Sequence, residues 1–87
     1  MRMEYEKEVL SIIHDVLDTP IEQLSAESSM DDLALNSISY IQLVLRCEKE
    51  FNIVFDDEQL IVSNFAAVKE LIEYISFKCR ENANKEL

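Results

Sequence analysis

The sequence predicts an all-α fold, a four-helix bundle with a long loop between helices 1 and 2 and a short helix 3. Three observations lead there. Apolar residues recur three or four apart in separate stretches, which is the spacing of one helix face. Glycine is absent and proline occurs once, so few residues suit the tight turns of a sheet. A length of 87 residues admits one small domain. A domain of that size buries roughly 60–65% of the surface its unfolded chain exposes, a core too thin for a deep catalytic pocket.

The first helix is predicted from about residue 3 to 17. Val9, Ile13, Val16 and Leu17 share a face, with Tyr5 and Leu10 beside them. Glu4, Glu6 and Glu8 lie where the positive end of the helix dipole favours acids. Thr19-Pro20 ends the helix, because a residue before proline is pushed out of the α region. The connection over residues 18–36 exceeds the ~12–15 residues usual for a structureless loop. Ile21, Leu24, Met30, Leu33 and Leu35 are expected to pin it to the core.

The second helix is predicted from Ser37 to about Phe51, capped by Asn36 or Ser37. Its inward stripe reads as Ile38, Ile41, Val44 or Leu45, Glu48 flanked by Cys47, and Phe51. Asn52-Ile53-Val54-Phe55 is an extended link, and Asp56 or Asp57 caps a brief third helix through Leu60. After a break at Ser63-Asn64, Phe65 packs at the entry of a last helix, from about Ala66 to Arg80. Val68, Leu71, Ile72, Ile75 and Cys79 face inward from it. Residues 1–81 make the single domain, and 82–87 a frayed polar tail.

Eighteen acids against 8 bases give a formal net charge of −10. That field repels nucleic acid and anionic membrane surfaces and attracts a basic protein partner. The charge is uneven: residues 33–55 balance Arg46 and Lys49 against Glu48 and Glu50. Cys47 and Cys79 fall within helices without metal-ligand spacing and read as reduced thiols. The first residues lack the apolar stretch of a secretion signal, and no apolar run approaches the ~18 residues of a membrane span. A cytoplasmic monomer is expected. His14 has no nucleophile tied to it by motif, and Asp31-Asp32 and Asp56-Asp57-Glu58 lack the glycine of a calcium loop. No enzymatic activity is expected.

The run Leu33-Ala34-Leu35-Asn36-Ser37-Ile38-Ser39-Tyr40-Ile41-Gln42-Leu43 resembles the phosphopantetheine attachment motif of acyl and peptidyl carrier proteins. In that family a serine opens the second helix, usually within Asp-Ser-Leu. The stretch Val44 to Glu58 is similar to the family's continuation, with Glu-x-x-Phe at Glu48 to Phe51, an Ile-x-apolar link, then acids. Phe65-Ala66-Ala67-Val68 and Leu71-Ile72-Glu73-Tyr74-Ile75 look like its last helix. The likeness spans about residues 5–77.

The resemblance implies a bundle of the acyl-carrier type with 4′-phosphopantetheine attached covalently, from coenzyme A, to Ser37. Asn36 is the flanking motif position, and Leu35, Ile38, Tyr40 and Ile41 are the implied partner contacts. The implied partners are a phosphopantetheinyl transferase, an adenylating or acyl-loading ligase, and downstream condensing or tailoring enzymes. The chain would hold acyl or aminoacyl thioesters and, lacking partner domains, act in trans as a free-standing carrier. A helix start also favours phosphate on physical grounds, through its unpaired N–H groups and dipole.

Asn36 stands where the family usually has aspartate, and the second helix is not acidic on the face read as Ser39, Gln42, Arg46 and Lys49. Both features are similar to peptidyl- or aryl-type carriers more than to fatty acid carriers, whose second helix is acidic, and the resemblance so implies nonribosomal-peptide or polyketide-type specialised metabolism. Ala67 stands where related sequences often carry a capping threonine, which makes the region between the third and fourth helices the looser part. The alternatives are a carrier-like acidic interaction module in which Ser37 only caps a helix, and a small enzyme or metal buffer using Asp31, Asp32 and Asp56 to Glu58.

Overall fold

The computed structural model describes residues 5–33, 35–61 and 64–85. Glu4, Ala34, Ser63, Glu86 and Leu87, to which the sequence assigned roles, lie outside the described residues. Three α-helices appear within them: α1 (Glu6–Leu17), α2 (Ser37–Phe51) and α3 (Val68–Lys85). Short 3-10 turns occupy Ile21–Gln23, Asp31–Leu33 and Asp57–Leu60. The expected third helix is therefore the 3-10 turn Asp57–Leu60. The last helix continues through four residues assigned to the tail, because nothing from Arg80 to Lys85 is glycine or proline.

Without glycine, the helix ends use other residues. Asp18 (φ 57°) and Asn52 (φ 56°) adopt the left-handed conformation after α1 and α2, and their N–H groups donate to His14 O and Glu48 O. Aspartate and asparagine tolerate that region best among residues with a side chain. His14 closes the same corner: its Nδ1 donates to the Thr19 carbonyl at 2.6 Å.

The long connection is pinned by backbone as much as by apolar side chains. Leu24, Ala26 and Met30 are buried, Leu33 and Leu35 pack partly buried against the core, and Ile21 stays exposed. Residues 26–30 run antiparallel to the start of α3, with a bridge between Ser29 and Ala67. Met30 N donates to Ala66 O at 2.9 Å, Val68 N to Ser28 O at 2.9 Å, and Lys69 N to Ala26 O at 2.8 Å. Glu70 reaches back to accept from Ala66 N at 2.8 Å. The threonine cap missing at Ala67 is thus replaced by carbonyls from a distant loop and by one carboxylate. Because Ala66 and Ala67 are held in that pairing, α3 begins at Val68.

All three helices contact one another, and α2 also contacts the Asp57–Leu60 turn. The centre is Val9, Ile12 and Ile13 from α1, Tyr40, Leu43, Val44 and Cys47 from α2, and Val68, Leu71, Ile72 and Ile75 from α3. Ile53, Phe55 and Phe65 are buried in the same cluster. Tyr74 packs against Phe55 and Phe65 at centroid distances of 5.0 and 5.8 Å.

The register of α2 differs from the sequence expectation. Tyr40, Leu43, Val44 and Cys47 face inward, whereas Ile38, Ile41 and Leu45 are exposed. Both stripes are apolar at helical spacing, so periodicity alone does not choose between them. Gln42, Arg46 and Lys49 interleave with the second stripe and hold it in water. Glu48 is half-buried and structural, accepting from Phe55 N at 2.8 Å and so fixing the extended link after α2.

Candidate functional site

The N-terminus of α2 is set by Asn36. Its backbone is extended (φ −95°, ψ 178°), and its Oδ1 accepts from Ser39 N at 2.7 Å. Its carbonyl accepts the first intrahelical bond, from Tyr40 N at 2.9 Å. A helix start leaves four N–H groups without intrahelical partners. The Asn36 cap takes that of Ser39, and those of Ser37 and Ile38 project from the same end. The first turn contains no acid, so the positive end of the dipole is not neutralised from within the helix.

Ser37 is the first residue of α2 and is exposed. Its hydroxyl sits beside backbone donors at the end of a helix whose other face is locked into the core. A phosphodiester on that oxygen would place its negative charge against donors and dipole. The residues present therefore fit a phosphate-linked group. Ser39, the neighbouring hydroxyl, is half-buried and its N–H is held by the cap.

The four residues assigned to partner contact separate into two groups. Ile38 is 72% exposed and Ile41 37% exposed, one turn apart on the outer face of α2. Leu35 packs partly buried against the core. Tyr40 corrects the expectation: it is 1% exposed and its hydroxyl donates to the Gln59 carbonyl at 2.5 Å, so it offers no docking surface. Burial pushes its pKa up to about 12 from 10.0, with Cys47 and Tyr74 adding to the effect.

Leu45, which helical spacing does not separate from Val44, is 58% exposed on the same outer face. With Asp15, Val16, Gln42 and Arg46 it lines a surface hollow of about 390 Å³ between α1 and α2. Arg46 pairs with Asp15 at 3.2 Å across that hollow, both side chains about half exposed. The polar residues at 42, 46 and 49 were the available signal that this stripe faces solvent.

The other chemistry-bearing groups have structural places. Cys47 is buried and its thiol is pushed up to about 12, chiefly by desolvation, so it stays protonated. Asp56 accepts from the Tyr74 hydroxyl at 3.0 Å and pairs with Lys78 at 3.4 Å, while its N–H donates back to Tyr74 Oη at 2.9 Å. Asp31 and Asp32 open an exposed 3-10 turn. Among the described residues no helix is long and apolar enough to cross a membrane.

The family described as phosphopantetheine attachment site matches residues 7–75. An acyl carrier protein of Nitratidesulfovibrio vulgaris is 32% identical over 77 residues, covering 87% of this chain and 99% of that one. One from Cyanidium caldarium is 34% identical over 82 residues, 93% of each chain. The crystal structure of an acyl carrier protein from Thermotoga maritima superposes with a TM-score of 0.71 at 28% identity, over 86% of both chains. With a helix-opening serine, a matching bundle and relatives along nearly its whole length, the chain belongs to the phosphopantetheine-binding carrier family and has the all-α acyl-carrier fold.

Proposed function

We propose that Ser37 is the attachment residue, and that the chain delivers acyl or aminoacyl thioesters to condensing or tailoring enzymes of nonribosomal-peptide or polyketide-type metabolism. The family carries 4′-phosphopantetheine covalently, and its members are carriers rather than catalysts. The observation that supports Ser37 is its place: an exposed hydroxyl on the first residue of α2, next to free-ended backbone donors and with no acid in the turn.

In the attachment step the Ser37 Oγ gives up its proton to a base of the transferase. The oxygen bonds to the phosphorus that bears pantetheine in coenzyme A, the pyrophosphate P–O bond breaks, and 3′,5′-adenosine bisphosphate leaves. The bound group supplies a thiol on which cargo rides as a thioester. The chain's own part is to hold the phosphodiester at the helix dipole and to present α2 to partners.

That outer face supports the pathway assignment. Ile38, Ile41 and Leu45 are exposed along it, with Gln42, Arg46 and Lys49 between them rather than acids. Docking through such a face rests on apolar burial and loses little when salt screens charge. The proposed setting is cytoplasmic, with the chain acting as a monomer on a transferase, a loading ligase and downstream enzymes.

Intact-protein mass after incubation with coenzyme A, magnesium and a broad-specificity phosphopantetheinyl transferase tests the site. One phosphopantetheine on the parent and none on Ser37→Ala is the expected result. No adduct on folded, initially unmodified protein with several transferases refutes it and leaves an unmodified interaction module. Loading the thiol with aminoacyl- or aryl-adenylating enzymes in parallel with fatty acyl ligases tests the pathway. Exclusive loading by the latter rejects it.

A further inference from the structure

Tyr40 stands first among the largest side chains buried to below 2% exposure, and it lies close to the proposed attachment point. It follows Ser37 by three residues, ~4.5 Å along the α2 axis, yet one is exposed and the other 1% exposed. Its ring joins the core cluster with Leu43, Val44, Cys47, Val68 and Leu71. Its hydroxyl donates to Gln59 O, tying α2 to the Asp57–Leu60 turn across 19 positions of sequence. That bond satisfies a polar group which would otherwise be costly to bury.

An apolar group tethered at Ser37 is driven out of water like any apolar side chain. Three residues on from the tether, Tyr40 is buried where α2 meets the Asp57–Leu60 turn, and its hydroxyl bond to Gln59 O closes that seam. A packed interior accepts added atoms only by displacing side chains or backbone. Here displacement would also strand the Tyr40 hydroxyl and the Gln59 carbonyl.

We infer that Tyr40 is a cargo-specificity residue: it plugs the seam between α2 and the Asp57–Leu60 turn, so that cargo carried at Ser37 stays outside the core. This rests on the Ser37 assignment. The class of cargo that follows is one that tolerates water, such as aminoacyl, hydroxyaryl or short acyl groups. A long alkyl chain would remain exposed.

Octanoyl-coenzyme A and a broad-specificity transferase load octanoyl-phosphopantetheine in one step, and intact mass verifies the adduct. Absence of any adduct, with plain coenzyme A as well, refutes the Ser37 assignment and this inference with it. On verified octanoyl protein, the amide chemical shifts of Leu43, Val44, Val68 and Leu71 are expected to match those of the unacylated holo form, with no change in Tm. Tyr40→Ala empties the seam. Its holo form melts lower, and octanoylation moves those amides and restores several degrees, because an apolar cavity admits an apolar guest. Tyr40→Phe keeps the ring and excludes the chain as the parent does. The inference is overturned if octanoylation of the parent shifts the core amides and raises Tm, a comparison that stands even if Tyr40→Ala fails to fold. It is equally overturned if a folded Tyr40→Ala gains nothing from the chain.

Discussion

Replacing Asn36 separates the two tasks of the α2 N-terminus, capping the helix and carrying a phosphodiester. Asn36→Ala removes the acceptor that Ser39 N reaches at 2.7 Å. Loss of such a cap costs about 1 kcal/mol. In a domain of this size that lowers Tm by about 4–8 °C. Asn36→Asp keeps an oxygen in the same place and adds a negative charge at the positive end of the dipole, where no other acid lies in the first turn. That charge stabilises the unmodified protein by about 0.3–1 kcal/mol at low salt.

Attachment at Ser37 cancels the advantage. A phosphodiester next in sequence sets two negative charges side by side, and unit charges about 6 Å apart repel by about 0.7 kcal/mol even in bulk water. The gain from Asn36→Asp is therefore expected in the unmodified form and absent in the holo form. Thermal unfolding followed by circular dichroism, on both forms at low and high salt, reads all three numbers. Melting of Asn36→Ala with the parent, or equal stabilisation of Asn36→Asp with and without the arm, refutes these roles for the α2 N-terminus.

Alkaline pH probes the core, since burial raises Cys47 from 9.0 and Tyr40 from 10.0, each to about 12. The folded state holds these protons more tightly than the unfolded state. Their stabilisation is complete below pH 9.0 and is lost as pH rises toward about 12. Denaturant titrations across that window should show the decline, and Cys47→Val should delay its onset toward the tyrosine range. Tyr74→Phe removes the hydroxyl shared with Asp56 N and Oδ2, at a cost of about 1 kcal/mol in denaturant unfolding. Arg46→Ala breaks an ion pair whose side chains are 48% and 49% exposed, so stability should change by no more than about 0.5 kcal/mol. Ile72→Ala, at a position 0% exposed, should cost about 2–5 kcal/mol and leave much of so small a domain unfolded.

Much of this was legible in the chain itself. The three α-helices follow from apolar spacing. Proline at 20 and the absence of glycine left Asp18 and Asn52 to turn the chain after α1 and α2. The inward faces of α1 and α3 were readable through Val9, Ile13, Val68, Leu71, Ile72 and Ile75 because polar residues fill their opposite sides. Asn36-Ser37 was readable because capping is local: one side chain and one N–H three residues on suffice.

Tertiary structure decided what local pattern leaves degenerate. On α2 two apolar stripes compete, and only packing against α1, α3 and the Asp57–Leu60 turn puts Tyr40 inside and leaves Ile38, Ile41 and Leu45 in water. The start of α3 has no cap in its own sequence at Ala67. Its donors are met by Ala26 and Ser28, some forty residues earlier. A helix face and a cap written in neighbouring residues can be read from those residues alone. A stripe chosen by burial, or a carbonyl brought from across the chain, exists only once the chain has folded, because both depend on which surfaces meet.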